Sequence, residues 1–329
     1  MRGVHPRGRR PLLVLLVCAL LAASTAACDG SGDGERTTAV PSTNTTNTTS
    51  TATSTGDGGC RSRNRTSERD VAYREVAGVD ANLTSLDVYT FAGACNAPVV
   101  VWVHGGGYRT GDKANGMRDK VRLAREHGWV LVSLDYRLTR PGEPGSARFP
   151  DHFDDVAAAL AWVHDHAGEY GGDPSQIALL GHSAGADIVA NVAVNPRYLE
   201  AHGRAPADIA CAGPLDTEGF DKTRSSPAQQ RMWETALGDN PRYVTETSAT
   251  LLVEPGIGIP PMIGVVRGTP ERQQIERRFL ETLRDAGIEA TEIDARALSH
   301  REVNTRIGAP GDDVMTPPLV AFLDSCFER

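Results

Sequence analysis

Four short apolar runs constrain this chain most: Val99-Val100-Val101-Trp102-Val103, Trp129-Val130-Leu131-Val132-Ser133-Leu134, Ile177-Ala178-Leu179-Leu180 and Met262-Ile263-Gly264-Val265-Val266. None alternates with polar residues, so each has two apolar faces to cover, as in a parallel sheet packed between helices. The segments between them supply helices. Phe153, Val156, Ala157, Leu160 and Val163 follow at helical spacing after Asp151, which is placed to cap that helix beside Pro150. Ile275, Phe279 and Leu283 repeat the pattern over residues 271–286, up to Gly287. Residues 70–79 and 83–91 alternate instead and predict a hairpin-like pair of strands. Two paired strands followed by a βα series predict an α/β fold: a mostly parallel central sheet with helices on both faces. Residues 217–260, between strands ending near Leu215 and starting near Met262, form a short insertion over the sheet.

The first 28 residues read as an export signal. Arg2, Arg7, Arg9 and Arg10 precede an apolar run over 11–23, and small residues lead to Cys28. The run is too short for a confident membrane span. Thr25-Ala26-Ala27-Cys28 resembles a bacterial lipoprotein box, with Thr25 where Leu is usual, and implies a lipidated Cys28 on the outer face of the cell membrane; plain secretion is the alternative. In residues 41–55, thirteen of fifteen are Ser, Thr or Asn, so 29–66 is expected to be a disordered linker. As a flexible coil it would span about 35 Å, holding a domain over residues 67–329 clear of a bilayer. Removing the four signal arginines takes the formal charge from −8 to −12. Nucleic acid is thereby an unsuitable partner, since it requires concentrated Lys and Arg.

Cys18 leaves with the signal, and Cys60, Cys95, Cys211 and Cys326 remain as an even set in an exported chain, predicting two disulfides. Three connectivities exist. Cys60 and Cys95 bracket the first two predicted strands, whereas Cys211 ends a later strand and Cys326 lies in the last helix, so Cys60 with Cys95 and Cys211 with Cys326 is the favoured pairing. No CxxC or spaced Cys/His set suggests zinc.

The run ending at Leu180 passes directly into Gly181-His182-Ser183-Ala184-Gly185, after which Ile188, Val189 and Val192 continue as a helix. Strand, sharp turn and helix around a central Ser form a nucleophile elbow, whose flanking glycines avoid Cβ collisions in the turn. The run ending at Val103 passes into His104-Gly105-Gly106-Gly107-Tyr108, whose backbone N–H groups can face an oxyanion. The Lys-Ser or Lys-Thr of a phosphate loop is missing there, and so is a GxGxxG fingerprint.

With those motifs the chain resembles the α/β-hydrolase superfamily, in its HGGG-type esterase and lipase branch of hormone-sensitive-lipase-like carboxylesterases. The resemblance spans residues 67–329 and also rests on Asp135-Tyr136-Arg137-Leu138, Phe149-Pro150-Asp151, Ala161-Trp162-Val163 and Gly171-Gly172-Asp173-Pro174. It implies an α/β-hydrolase fold and a serine hydrolase with nucleophile, acid and histidine in that chain order. Of the two histidines after the elbow, His300 follows the strand-like 290–293 and matches the family's histidine loop; His202 reads as a solvated surface residue, as do His127, His152, His164 and His166. The family's acid usually stands three residues after a Gly in the turn following the 262–266 strand, which selects Glu271 after Gly268; Asp294 and Asp216, each after a strand, are its rivals.

The implied site is therefore Ser183, Glu271 and His300, with Gly106, Gly107 and Ala184 as oxyanion donors, and it needs no metal or cofactor. The expected substrate is a small or short-chain ester. The alternatives are an arylformamidase, a feruloyl or acetyl-xylan type esterase, or a catalytically silent binding protein of this fold. Phe220, Met232, Trp233 and Tyr243 of the insertion serve equally as pocket lining or as the insertion's own core.

Overall fold

The computed structural model describes residues 67–328, within the unit Gly58–Arg329. The signal segment, Cys28, the linker and Cys60 lie outside the described residues. Eight strands form one sheet: β1 Glu68–Ala72, β2 Ser85–Tyr89, β3 Ala97–Val103, β4 Val130–Leu134, β5 Gly172–His182, β6 Cys211–Leu215, β7 Met262–Val266 and β8 Ala290–Asp294. Their order is β1-β2-β4-β3-β5-β6-β7-β8, antiparallel at β1/β2 and β2/β4 and parallel elsewhere. With helices on both faces, this is an α/β-hydrolase fold.

Side-chain alternation along β3 decides the layering. Val99, Val101 and Val103 enter one apolar core, and Val100 and Trp102 enter the other. The first core is closed by α2 Asp151–His166 and α3 Ala184–Val194 together with the helix Pro270–Asp285, through Phe153, Ile188 and Phe279 among others. The second is closed by α1 Arg118–His127 and the last helix, Thr316–Phe327, through Leu123, Leu319 and Phe322. The unbroken apolar runs follow from that burial: every residue of β4 and β7 is buried. At one edge, β1 presents Glu68, Arg69 and Asp70 to solvent, which discourages pairing with another chain.

Three local expectations are corrected. The strand predicted over 70–79 is the shorter β1, Glu68–Ala72, and the chain after it turns back through a short 3-10 turn, Ala81–Thr84, which Asp80 caps by accepting from the Asn82 amide. Asp151 is the first helical residue of α2 rather than its cap, and its carboxylate accepts from the Arg148 amide. His152 is wholly buried, with Nε2 2.9 Å from Thr139 Oγ1, because it lies on the α2 face that also buries Phe153 and Val156.

The insertion between β6 and β7 contains the helices Pro227–Leu237, Arg242–Glu246 and Ala249–Leu252. Cys211 of β6 is bonded to Cys326, with Cα atoms 6.1 Å apart and a sequence separation of 115. Cys95 is also in a disulfide. Closing a loop of that length restricts the unfolded chain, so Cys211→Ala with Cys326→Ala should lower stability by about 4 kcal/mol. Urea unfolding under non-reducing conditions measures this, and an unchanged midpoint would count against a stabilising bridge.

Candidate active site

Between β5 and α3 there is one residue, Ser183, with φ 59° and ψ −119°. A positive φ at a non-glycine residue costs roughly 1–3 kcal/mol and persists only where its surroundings hold it. Here the Ser183 N–H donates to Leu215 O at 3.3 Å, and the Asp187 N–H donates to Ser183 O at 3.1 Å. The helix also starts hard against β3: a Cβ on Gly185 would lie 2.3 Å from Val103 O, so only glycine admits this approach.

The histidine arrives from the far end of the chain. Ser299 and Glu302 form a capping box on the short helix His300–Arg306 and fix where it begins. His300 Nε2 lies 2.9 Å from Ser183 Oγ, and its Nδ1 lies 2.6 Å from Asp216 Oδ2. Because a carboxylate only accepts, Nδ1 carries the proton and donates to Asp216, leaving Nε2 to accept from the Ser183 hydroxyl.

Asp216 follows β6 directly, turned back by a φ of 66°, and is 1% exposed. Burial alone would raise its pKa. The His300 hydrogen bond, the Arg272 charge and the Arg267 hydrogen bond outweigh burial and hold the carboxyl down at about 2. Arg272 donates to Asp216 Oδ1 from Nε at 3.0 Å and from Nη2 at 2.7 Å, and Arg267 Nε donates to Oδ2.

His182, unassigned in the sequence reading, supports the site from behind. Its Nε2 lies 2.8 Å from His300 O, so this ring N–H donates to the backbone of the histidine it positions. Burial, followed by the charge of His300, pushes its pKa down to about 4 and keeps it neutral near pH 7. Only its place next to the elbow serine could have signalled this role.

Gly107 and Ala184 line a cavity of about 150 Å³ with Ser183, His300, Met232 and Trp233. Gly106 stands immediately before Gly107 with φ 120°, and a Cβ there would lie 1.9 Å from Thr110 O. Its carbonyl accepts from the amides of Arg109 and Thr110, closing the loop beside Ser183.

The structure separates Glu271 from this cluster. It is exposed in the first turn of the helix Pro270–Asp285, where Thr269 caps the helix end by accepting from the Arg272 amide. The same turn instead sends Arg272 to Asp216. Asp294 is also exposed, paired with Arg296. His202 is not simply solvated, since its Nε2 lies 2.9 Å from Asp154 Oδ1. Of the insertion's large side chains, Met232 and Trp233 reach the cavity, and Phe220 and Tyr243 are buried in the apolar core.

Among the described residues, His182, Asp216 and His300 alone form a group with ligand atoms within 4.8 Å of one another. Their geometry fits proton transfer better than a cation. Both His300 nitrogens and the facing His182 nitrogen are engaged, and two guanidiniums already neutralise Asp216.

A family profile, BD-FAE, matches residues 86–255, about half of the chain. The probable carboxylic ester hydrolase LipM of Mycobacterium tuberculosis is 36% identical over 139 residues, covering 41% of this chain and 31% of that protein. Carboxylesterase NlhH of the same species is 45% identical over 102 residues, covering 30% of this chain and 29% of its own length. The chain thus spans about a third of these curated relatives. Among solved structures, esterase B of Lactobacillus rhamnosis aligns with TM-score 0.66 at 18% identity, over 82% of this chain and 91% of that one. An esterase of Pyrobaculum calidifontis aligns with TM-score 0.61 at 21% identity, over 74% and 80%.

Two buried neutral imidazoles make stability depend on pH. Burial holds His152 at about 3 and His182 at about 4, both below the ordinary 6.5. Above pH 6.5 neither folded nor unfolded chain protonates them; as pH falls, the unfolded chain binds protons that the folded one refuses. Their contribution is therefore lost from pH 6.5 towards pH 3, on the order of a few kcal/mol in total. Urea unfolding should show stability falling from pH 6.5 to pH 4, and a flat profile would contradict these assignments.

Proposed function

The chain belongs to the BD-FAE family, and from that premise we propose that it is a serine hydrolase of small carboxylic esters. We assign Ser183 as nucleophile, His300 as general base and acid, and Asp216 as the residue that orients His300. The observation that carries this reading is the continuous line from Asp216 Oδ2 through both His300 nitrogens to Ser183 Oγ, with contacts of 2.6 and 2.9 Å. The names of LipM, a probable carboxylic ester hydrolase, and of carboxylesterase NlhH agree with it, and the His104 to Tyr108 loop supports a position near the hormone-sensitive-lipase-like branch.

His300 Nε2 takes the Ser183 proton as Oγ attacks the ester carbonyl carbon. The carbonyl π electrons move to oxygen, which accepts hydrogen bonds from the amides of Gly106, Gly107 and Ala184. When the intermediate collapses, the ester C–O bond breaks and the alcohol leaves with the proton from His300. Water repeats the sequence on the acyl-enzyme and releases the acid. Asp216 stays ionised throughout, held low by His300, Arg272 and Arg267. A cavity of about 150 Å³ walled by Met232, Trp233 and Ala236 favours a short acyl or alcohol group.

For the residues preceding 67 we propose export, with Cys28 as a lipidated first residue and residues 29–66 as a tether. Among the described residues no helix is long and apolar enough to cross a membrane, so attachment of this domain would fall to that lipid. Mass spectrometry of the exported protein should find a diacylglyceryl adduct on Cys28; a mature chain starting elsewhere without lipid would replace anchoring by secretion.

The activity is tested by fluorophosphonate labelling and by turnover of nitrophenyl esters of increasing chain length, beside N-formylkynurenine, a feruloyl ester and acetylated xylan. The native chain should be labelled and should turn over the shortest nitrophenyl esters fastest, and Ser183→Ala should abolish both. Preference for formylkynurenine, the feruloyl ester or xylan would reassign the substrate class. A native chain that neither labels nor hydrolyses would make it a binding protein.

A further inference from the structure

The proton line leaves unused a second buried polar group beneath the same cavity. Asp187 stands one helical turn after Ser183 in α3 and is completely buried. Three side chains converge on its carboxylate. Tyr108, the residue that ends the glycine loop with φ 64°, donates its hydroxyl to Asp187 Oδ2. Lys222 of the insertion places Nζ 2.8 Å from Oδ1 and 2.7 Å from Oδ2. Asn191 Nδ2 donates to Oδ1 at 3.1 Å, and a Cβ on Gly219 would lie 2.4 Å from the same oxygen.

Lys222 is itself buried and saturated. It also donates to Gly219 O at 2.9 Å and Thr247 O at 2.6 Å, and its ammonium sits 4.8 Å from the centre of the Trp233 ring. Burial pushes the Lys222 ammonium down and the Asp187 carboxyl up, yet with the proton on either partner the pair is neutral overall. A bare hydrophobic core would not require such a set. A buried charge pair gains little net stability over well-packed apolar side chains, and its best-attested use is to fix one arrangement among several.

The arrangement it fixes is visible in its three attachments. Tyr108 adjoins Gly107 of the loop beside Ser183, Asp187 belongs to the helix that starts at Ser183, and Lys222 and Trp233 belong to the insertion that walls the cavity. We propose that Asp187 is a positioning residue that holds the glycine loop, through the Tyr108 hydroxyl, in register with the nucleophile turn, and that Lys222 completes this hold by docking the insertion. The inference rests on the hydrolase reading above, because it assigns the network's effect to donors that face the reacting oxygen.

A loop displaced by a fraction of an ångström loses hydrogen bonds to the oxyanion more than contacts to the ground-state ester. The effect should therefore fall on kcat and not on KM. Tyr108→Phe removes only the hydroxyl and leaves Asp187 with Lys222 and Asn191. The variant is compared with the native full chain by kcat and KM on a short nitrophenyl ester, per site titrated with fluorophosphonate. Affinity for a short trifluoromethyl ketone, whose adduct carries the oxyanion, is measured alongside.

The expected result is a kcat about tenfold lower, KM within about twofold, and ketone affinity weaker by the same factor as kcat. A hydroxyl needed only for folding would lower the melting temperature and the number of titrated sites while leaving kcat and ketone affinity per site unchanged; that result overturns the proposal. The paired variant Asp187→Leu with Lys222→Met removes the acceptor for Tyr108 together with both buried charges, leaving no unpaired buried charge behind. Its kcat and ketone affinity per titrated site should fall by about tenfold or more; a smaller loss per titrated site overturns the proposal, and this variant decides the matter if Tyr108→Phe does not fold. An inert native chain would instead sink the hydrolase reading.

Discussion

Everything at the site depends on how closely α3 begins against the end of β3. Only a glycine at position 185 permits that contact, and it leaves a single residue to turn the chain from strand to helix. The turn forces Ser183 into a positive φ, which is costly, and the cost is borne by a core closed on both faces of the sheet. A serine in a relaxed loop would be mobile. Here its hydroxyl is presented in one direction, and the other parts of the site are arranged around that direction.

The second constraint is electrostatic. Asp216 is almost wholly buried beside the imidazole of His300, and burial on its own would favour a neutral acid. The hydrogen bond from His300 and the two guanidiniums that follow β7, Arg267 and Arg272, reverse that preference. Arg272 also reaches Glu218, which Gln229 of the insertion approaches at 2.7 Å, so the guanidinium that helps keep Asp216 ionised is in contact with the wall of the cavity. The insertion is thus tied beneath the cavity through Lys222 and beside it through Glu218. Such ties suit a pocket that has to keep a small shape.

Most of the fold was legible because it follows from patterns that water imposes on the chain. The doubly buried runs could not be covered except by a sheet between helices, and β7 spans the predicted residues 262–266. That Ser183 and His300 would meet was equally legible, the first from its glycines and the second from its place after the last strand. Which carboxylate meets His300 was not. A carboxylate after β6 and one after β7 look alike in sequence, and the family precedent favoured the latter. Their difference arises in three dimensions: β6 pairs with β5, which leads into Ser183, whereas β7 is paired with β6 only at Ala212 and Met262. Glu271 lies exposed in the first turn of the helix Pro270–Asp285, and Asp216 turns back to meet His300 Nδ1. His152 and His182 escaped for a related reason, since nothing in composition separates an imidazole on a buried helix face from one in water.

The assignment of the acid is the point at which geometry and family precedent part, and one pair of variants measures it. The kcat of Asp216→Asn should fall by about 10⁴, because the amide no longer holds the proton on His300 Nδ1 or stabilises the imidazolium. The kcat of Glu271→Gln should stay within about twofold of native, as befits an exposed first-turn side chain. The opposite order, with Glu271→Gln crippled and Asp216→Asn active, would contradict the line from Asp216 through His300 to Ser183.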